Sequence, residues 1–169
     1  MKSTSMLFVI IPYSVRWCKH SARRLCTKQG KSAFAGPEIL GKKLGVIGLG
    51  AIGVLVANAA RTLGMQVYGF DPFLSVDAAW NLSSDIVKAA SVDEIFEKCD
   101  YITIHVPLND STRGLIGADA LKKVKKGVRV LNFSRGALVD TDAMLAALAD
   151  GTVAALSLIH ISEPTRQAE

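Results

Sequence analysis

The sequence predicts an α/β fold built on a doubly wound parallel sheet, and three observations carry that prediction. Short apolar runs alternate along the body of the chain with segments of helical period. One run, YITIHV at Tyr101–Val106, is β-branched and apolar almost throughout, as a strand buried on both faces must be. The first run leads directly into a glycine-rich turn and a helix, the junction on which such sheets are built.

Taken in order, KLGVI at Lys43–Ile47 is the first strand. A helix follows over 52–63, with Ile52, Val56, Ala59 and Leu63 recurring along one face, and Gly64 stops it. QVYGF at Gln66–Phe70 is the second strand. Ser91-Val-Asp-Glu94 is a capping box that opens a short helix to about Lys98. Tyr101–Val106 and VRVLNF at Val128–Phe133 are buried strands. Thr141–Ala149 is helical and closes toward Gly151, and GTVAALSLIHI is β-forming enough to predict a last strand over 153–161.

Length allows about one domain. The net charge of +5 suggests nucleic acid until it is located. Residues 1–37 hold seven Lys and Arg and no acid, whereas the rest holds 13 basic against all 15 acidic residues. A mildly acidic body excludes a nucleic-acid role. No apolar run reaches the roughly 18 residues that a membrane span takes. Cys18, Cys26 and Cys99 form no CxxC pair, which excludes a structural metal or disulfide framework and points to reduced thiols in a cytoplasmic protein.

The chemistry begins at Gly48-Leu-Gly50-Ala-Ile-Gly53. A G-x-G-x-x-G is weak alone, but here it joins a strand to a helix, where its physics requires it. Gly48 permits the tight turn. Gly50 leaves room for a pyrophosphate, and Gly53 lets helix and strand approach. The helix N-terminus then offers N–H groups and a positive dipole end to the phosphates. Asp71 ends the second strand, where a carboxylate accepts hydrogen bonds from the adenosine ribose and repels a 2′-phosphate. No Arg follows in Asp71-Pro-Phe-Leu, so NAD is expected rather than NADP. The fold is then Rossmann-type.

GKKLGVIGLGAIG, YGFDP, HVPLNDSTRGLI and NFSRGALVD, in that order within residues 31–155, resemble the cofactor domain of D-isomer-specific 2-hydroxyacid dehydrogenases. AFAGPEILGKKLGVIGLGAIGVLVANAA and SVDAAWNLS resemble its bacterial phosphoglycerate dehydrogenase branch. The resemblance implies an oxidoreductase that moves hydride between NAD and a small 2-hydroxy acid, and a homo-oligomeric enzyme. It implies that Ala51 and Ile52 approach the pyrophosphate through backbone N–H, Ala51 standing where many relatives have Arg or His. Val106 and Pro107 would line the cofactor cleft, and Phe133 and Ser134 would lie beside the nicotinamide half. Arg135 would be the catalytic arginine, its planar fork holding the substrate's carboxylate and its keto or hydroxyl oxygen. His105 is not the family's acid and is read as structural. Ser111, Thr112 and Arg113 are read either as a loop near the cleft or as a solvated surface turn, and Lys122, Lys123, Lys125 and Lys126 as a solvated helix end.

The two ends carry separate expectations. Residues 1–30 have no clear period and are read as an unassigned, non-native leader. Residues 156–169 (LSLIHISEPTRQAE) back-translate to a sequence similar to a transposon-end library adapter and are read as read-through. The sheet is then expected to be truncated at its C-terminal side. The family's acid/base histidine and its glutamate lie beyond the position matching Ala155, so no turnover is expected from this chain alone. Glu163 and His160 receive no role. Two rivals remain. A non-catalytic, NAD-responsive module of the co-repressor type is disfavoured by Arg135, and a hydrolase with tightly held NAD is disfavoured by NFSRGALVD.

Overall fold

The computed structural model describes residues 37–158, so the readings for the leader and for positions after Leu158 lie outside the described residues. The elements run β1 (Lys43–Ile47), α1 (Ala51–Thr62), β2 (Gln66–Phe70), α2 (Val76–Asn81), β3 (Val87–Lys88), α3 (Val92–Lys98), β4 (Tyr101–Ile104), α4 (Ala118–Leu121), β5 (Val128–Asn132), α5 (Thr141–Ala149) and β6 (Val153–Leu158). A 3-10 turn at Gly136–Leu138 precedes α5. All strand pairs are parallel, in the order β3-β2-β1-β4-β5-β6. This is the doubly wound arrangement that the alternating pattern predicts, with the chain stepping outward from β1 in both directions.

Alternation along the strands sorts the core onto two faces. Ile47, Ile102, Ile104, Val128, Val130 and Val153 pack with Ile95, Phe96 and Cys99 of the α3 segment and with Leu121, Met144 and Ala147 of α4 and α5. Gly45 lies under α3 so tightly that a Cβ there would run into Ile95 and Cys99. The opposite face is covered by α1, whose buried residues are Gly53, Val54, Ala57 and Ala60. This corrects the face read from the sequence. Ile52 and Leu63 are 66% and 61% exposed, and Ala59 is exposed too. The apolar count selected the bulkier side. Close approach to β1 instead selects the side with small residues, because Gly53 must sit against the preceding turn.

Strand bounds shift slightly. The run at Tyr101–Val106 ends as ladder at Ile104, and that at Val128–Phe133 ends at Asn132. β6 forms over Val153–Leu158 as predicted, with 159–161 outside the described residues. It pairs along β5 and so covers the apolar edge that β5 would otherwise present. At the capping box, Ser91 Oγ accepts from Glu94 N–H, while the Glu94 carboxylate reaches Ala90 N–H rather than Ser91. α2, β3 and α4 are elements that no periodic pattern foretold.

The lysine cluster after α4 is more than a solvated helix end. Lys122 pairs with Asp119, Lys123 with Asp93 and Lys125 with Asp100. Asp100 also accepts from Lys43 N–H at 2.9 Å, so one carboxylate joins the start of β1 to the start of β4.

Cys99 is fully buried, and burial pushes its thiol up to about 12. At neutral pH it therefore holds its proton and is a poor nucleophile. Iodoacetamide is expected to leave Cys99 unmodified in the native chain and to label it in denaturant, read by peptide mass spectrometry. Rapid native labelling would contradict this packing.

Candidate functional site

The turn after β1 is fixed by its glycines. Gly48 has φ +94°, and a Cβ there would lie 2.8 Å from both the carbonyl carbon and oxygen of His105. Gly53 faces back onto Gly48 O, well inside contact distance for any Cβ. Gly50 is different: nothing lies within 4 Å of where its Cβ would be. It is the N-cap of the twelve-residue α1, offers no side-chain cap, and is followed by no acidic residue in the first turn. The α1 N-terminus thus presents its N–H groups and positive dipole end to open space beside Gly50, Ala51 and Ile52, all three exposed. These residues fit a dinucleotide's pyrophosphate.

Asp71, at the end of β2, is half-buried and does more than the sequence suggested. Its Oδ2 accepts from Leu49 N–H at 2.8 Å and its Oδ1 from Phe73 N–H at 2.8 Å. The carboxylate therefore ties the glycine turn to β2 and shapes its own loop. A carboxylate has about four acceptor positions, so capacity remains for ribose hydroxyls. A cleft of about 320 Å³ opens beside it, lined by Leu49, Gly69, Leu74, Leu82 and Ala89 among others. Its mainly apolar walls suit the flat base of an adenosine.

The other half of the site stands at the ends of β4 and β5. Half-buried Val106 and exposed Pro107 follow β4, and half-buried Phe133 and Ser134 follow β5. Ser134 Oγ donates to Val106 O at 3.0 Å and ties the two strand ends together. Arg135 is exposed, and its guanidinium donates only a long 3.4 Å bond to Ser134 O. The glycine turn, Asp71, Val106, Pro107, Phe133, Ser134 and Arg135 all sit at the carboxyl ends of β1, β2, β4 and β5. In open parallel sheets, that edge is where ligands bind, at the point where strand order reverses.

Two residues were missed by sequence reasoning. Thr103 and Asn132 are the buried polar residues among those described, each 1% exposed. Thr103 Oγ1 lies 2.9 Å from His105 Nε2, which gives the half-buried imidazole a partner directly behind the glycine turn. Asn132 brackets the Ser134–Arg135 backbone. Both sit in strands that read as apolar, and neither has a local pattern that marks it.

Burial lowers the His105 pKa below its ordinary 6.5. The unfolded chain therefore takes up a proton more readily than the folded one. Stability that His105 allows above about pH 6.5 is expected to be lost as pH falls toward its folded pKa. Urea midpoints between pH 7 and 5 should fall more steeply for the native chain than for His105→Asn. Parallel curves would exclude the effect.

The turn after β4 is built locally. Thr112 Oγ1 donates to Pro107 O at 2.7 Å, and Asn109 Oδ1 accepts from Ser111 Oγ and Thr112 N–H. Arg113 lies exposed in it. The positions of Glu163 and His160 lie outside the described residues.

A family model described as D-isomer specific 2-hydroxyacid dehydrogenase, NAD binding domain, matches residues 10–167. D-3-phosphoglycerate dehydrogenase of Bacillus subtilis (strain 168) is 41% identical over 136 residues, which is 79% of this chain and 25% of that protein. The Homo sapiens protein of the same name is 40% identical over 140 residues, 82% of this chain and 26% of its own length. The chain thus spans about a quarter of the curated relatives that it matches. Among solved structures, D-lactate dehydrogenase from Escherichia coli superposes with a TM-score of 0.70 at 30% identity, covering 80% of this chain and 41% of that one. D-lactate dehydrogenase from Aquifex aeolicus, complexed with NAD and lactic acid, gives 0.70 at 30% identity, over 85% and 41%.

Proposed function

The chain belongs to the D-isomer specific 2-hydroxyacid dehydrogenase family through its NAD-binding domain, and from that premise we propose that it serves the oxidation of a 2-hydroxy acid, 3-phosphoglycerate being the substrate of choice. One observation carries the reading. Arg135 leaves β5 at the same sheet edge as the glycine turn and Asp71, joined to it through Ser134 and Val106. A guanidinium starting from that edge supports the reading that it holds a carboxylate next to a dinucleotide.

When bound, NAD supplies the hydride acceptor. The chain's own residues do the rest of what this site can do. Gly50, Ala51 and Ile52 offer backbone N–H groups to the pyrophosphate. Asp71 takes the ribose hydroxyls and disfavours a 2′-phosphate. Arg135 orients the acid through its carboxylate and its neighbouring oxygen. No proton carrier completes the set among the described residues: their one histidine, His105, is engaged with Thr103 behind the turn. The described residues therefore support binding of NAD and acid, and no turnover is expected from them.

Support for a homo-oligomeric enzyme comes from the outward side of α1 and its C-terminal end, where Ile52, Leu55 and Leu63 are exposed and exposed Leu40 lies against Gly64. No helix among the described residues is long and apolar enough to cross a membrane.

The experiment is calorimetric titration of the NAD-saturated chain with oxalate, a dicarboxylate that presents a carboxylate beside a second oxygen. A bidentate charged contact contributes about 1.5–3 kcal/mol. Arg135→Ala should therefore weaken oxalate by roughly ten- to a hundredfold, with NAD affinity kept. Unchanged oxalate affinity would remove Arg135 from the acid's site and leave an NAD-binding module. NADH formation from 3-phosphoglycerate by the chain alone would overturn the absence of turnover.

A further inference from the structure

Arg135 is exposed, and its long side chain makes one weak contact with the chain. That one contact does not fix where its guanidinium points. What is fixed is its backbone. Asn132 Nδ2 donates to Arg135 O at 2.7 Å, and Asn132 Oδ1 accepts from Ser134 N–H at 3.0 Å. One amide therefore holds both flanks of the Ser134–Arg135 peptide. The amide is itself 1% exposed, at the last position of β5, where Asn132 stands in register with Ile104 of β4. Burying an amide is unfavourable unless its groups are bonded, and here the donor and the acceptor are spent on the two peptide groups that flank the Ser134–Arg135 bond.

The surroundings make that hold rigid. Arg135 O also accepts from Leu138 N–H at 3.2 Å, at the head of the 3-10 turn. That turn is pinned in its own right, since Gly114 N–H donates to Ala137 O and Ile116 N–H to Leu138 O. Ser134, on the other flank, is anchored to Val106. Without Asn132, the segment between the buried strand end and the pinned turn keeps only the Ser134 hydroxyl tie and the Leu138 bond. We propose that Asn132 is a positioning residue for Arg135: a buried amide that fixes the Ser134–Arg135 peptide, so that the exposed guanidinium starts from one backbone geometry when it meets the acid. An apolar residue of similar size would pack in the strand equally well, but would leave Ser134 N–H and Arg135 O with one partner fewer. This rests on the proposed role of Arg135 in holding the acid.

The test uses the NAD-saturated chain and oxalate, with Asn132→Ala, Asn132→Asp and Arg135→Ala measured together. Asn132→Asp keeps the acceptor for Ser134 N–H and loses the donor to Arg135 O, so it separates the two bonds. Asn132→Ser keeps the question open to measurement should Asn132→Ala fail to fold. The expected result is oxalate affinity weakened five- to twentyfold in Asn132→Ala and less in Asn132→Asp, with the NAD dissociation constant within twofold of native. A merely structural role would move NAD and oxalate together, or would lower only the thermal midpoint, and either result overturns the proposal. If Arg135→Ala weakens oxalate while the Asn132 variants do not, the positioning role fails and the acid-holding role stands. If Arg135→Ala leaves oxalate unchanged, both fall.

Discussion

Gly53→Ala should abolish NAD binding and destabilise the chain by about 3 kcal/mol, while Gly50→Ala should cost at most about 1 kcal/mol of stability and still weaken NAD at least tenfold. The two glycines are three positions apart in one motif, yet they meet opposite surroundings. A methyl on Gly53 runs into the carbonyl oxygen of Gly48, which is backbone and cannot swing aside. Relief requires α1 to lift away from β1, which opens the contacts of Val54, Ala57 and Ala60 with the sheet. That is overpacking at its least forgiving, and about 3 kcal/mol corresponds to roughly 10 °C in Tm for a domain of this size. A methyl on Gly50 meets nothing within 4 Å, and its φ of −71° is ordinary for alanine. The space it occupies is the space a pyrophosphate needs. Thermal melts with and without NAD check both halves. Equal melting losses for the two variants, or undiminished NAD affinity in Gly50→Ala, would contradict the assignment.

Asp71→Ala is expected to act on the same turn from the other side. It strips the partners from Leu49 N–H and Phe73 N–H, the former at a buried residue. An orphaned buried donor costs about 1–3 kcal/mol, and Phe73, being exposed, recovers water instead. The expected loss is about 2 kcal/mol in urea denaturation, with NAD affinity down by an order of magnitude or more. Asp71→Asn keeps one acceptor but turns an NH₂ toward the second N–H, so it should fall between the native chain and Asp71→Ala. A purely ligand-facing Asp71 would change NAD affinity with no change in the melt.

Strand β1, strand β2 and helix α5 were legible to the residue because each has its signal within its own length. The first two are short apolar runs, each entered through one polar residue and closed by glycine or aspartate. α5 starts one position after Asp140, whose carboxylate caps Ala143 N–H. The glycine turn was legible because a positive φ and a close approach leave glycine as the residue that fits. The α1 face was not legible, since hydrophobicity ranks Ile52 and Leu63 above Gly53 and Ala57, whereas tight packing ranks them the other way. Asn132 and Thr103 were invisible for a related reason. A polar residue near a strand end looks like a surface residue until its bonds to the residues two and three positions on are seen. The second function of Asp71 was hidden by distance instead, because its partner Leu49 lies 22 positions away.

The sheet order has a consequence for how the domain assembles. β1 meets β2, β4 meets β5 and β5 meets β6 through closures of similar, modest length. The β1–β4 pairing alone spans the long route, with Lys43 meeting Asp100 across 57 positions. Closure entropy grows with the logarithm of length, so this joint costs roughly 0.7 kcal/mol more than its neighbours before any contact is made. The chain thus consists of two locally closed wings and one expensive seam. The glycine turn sits on one bank of that seam, and His105 and Val106 on the other. A dinucleotide lying there would bridge the wings, and its binding free energy would add to the costliest closure in the assembly rather than to an already finished scaffold.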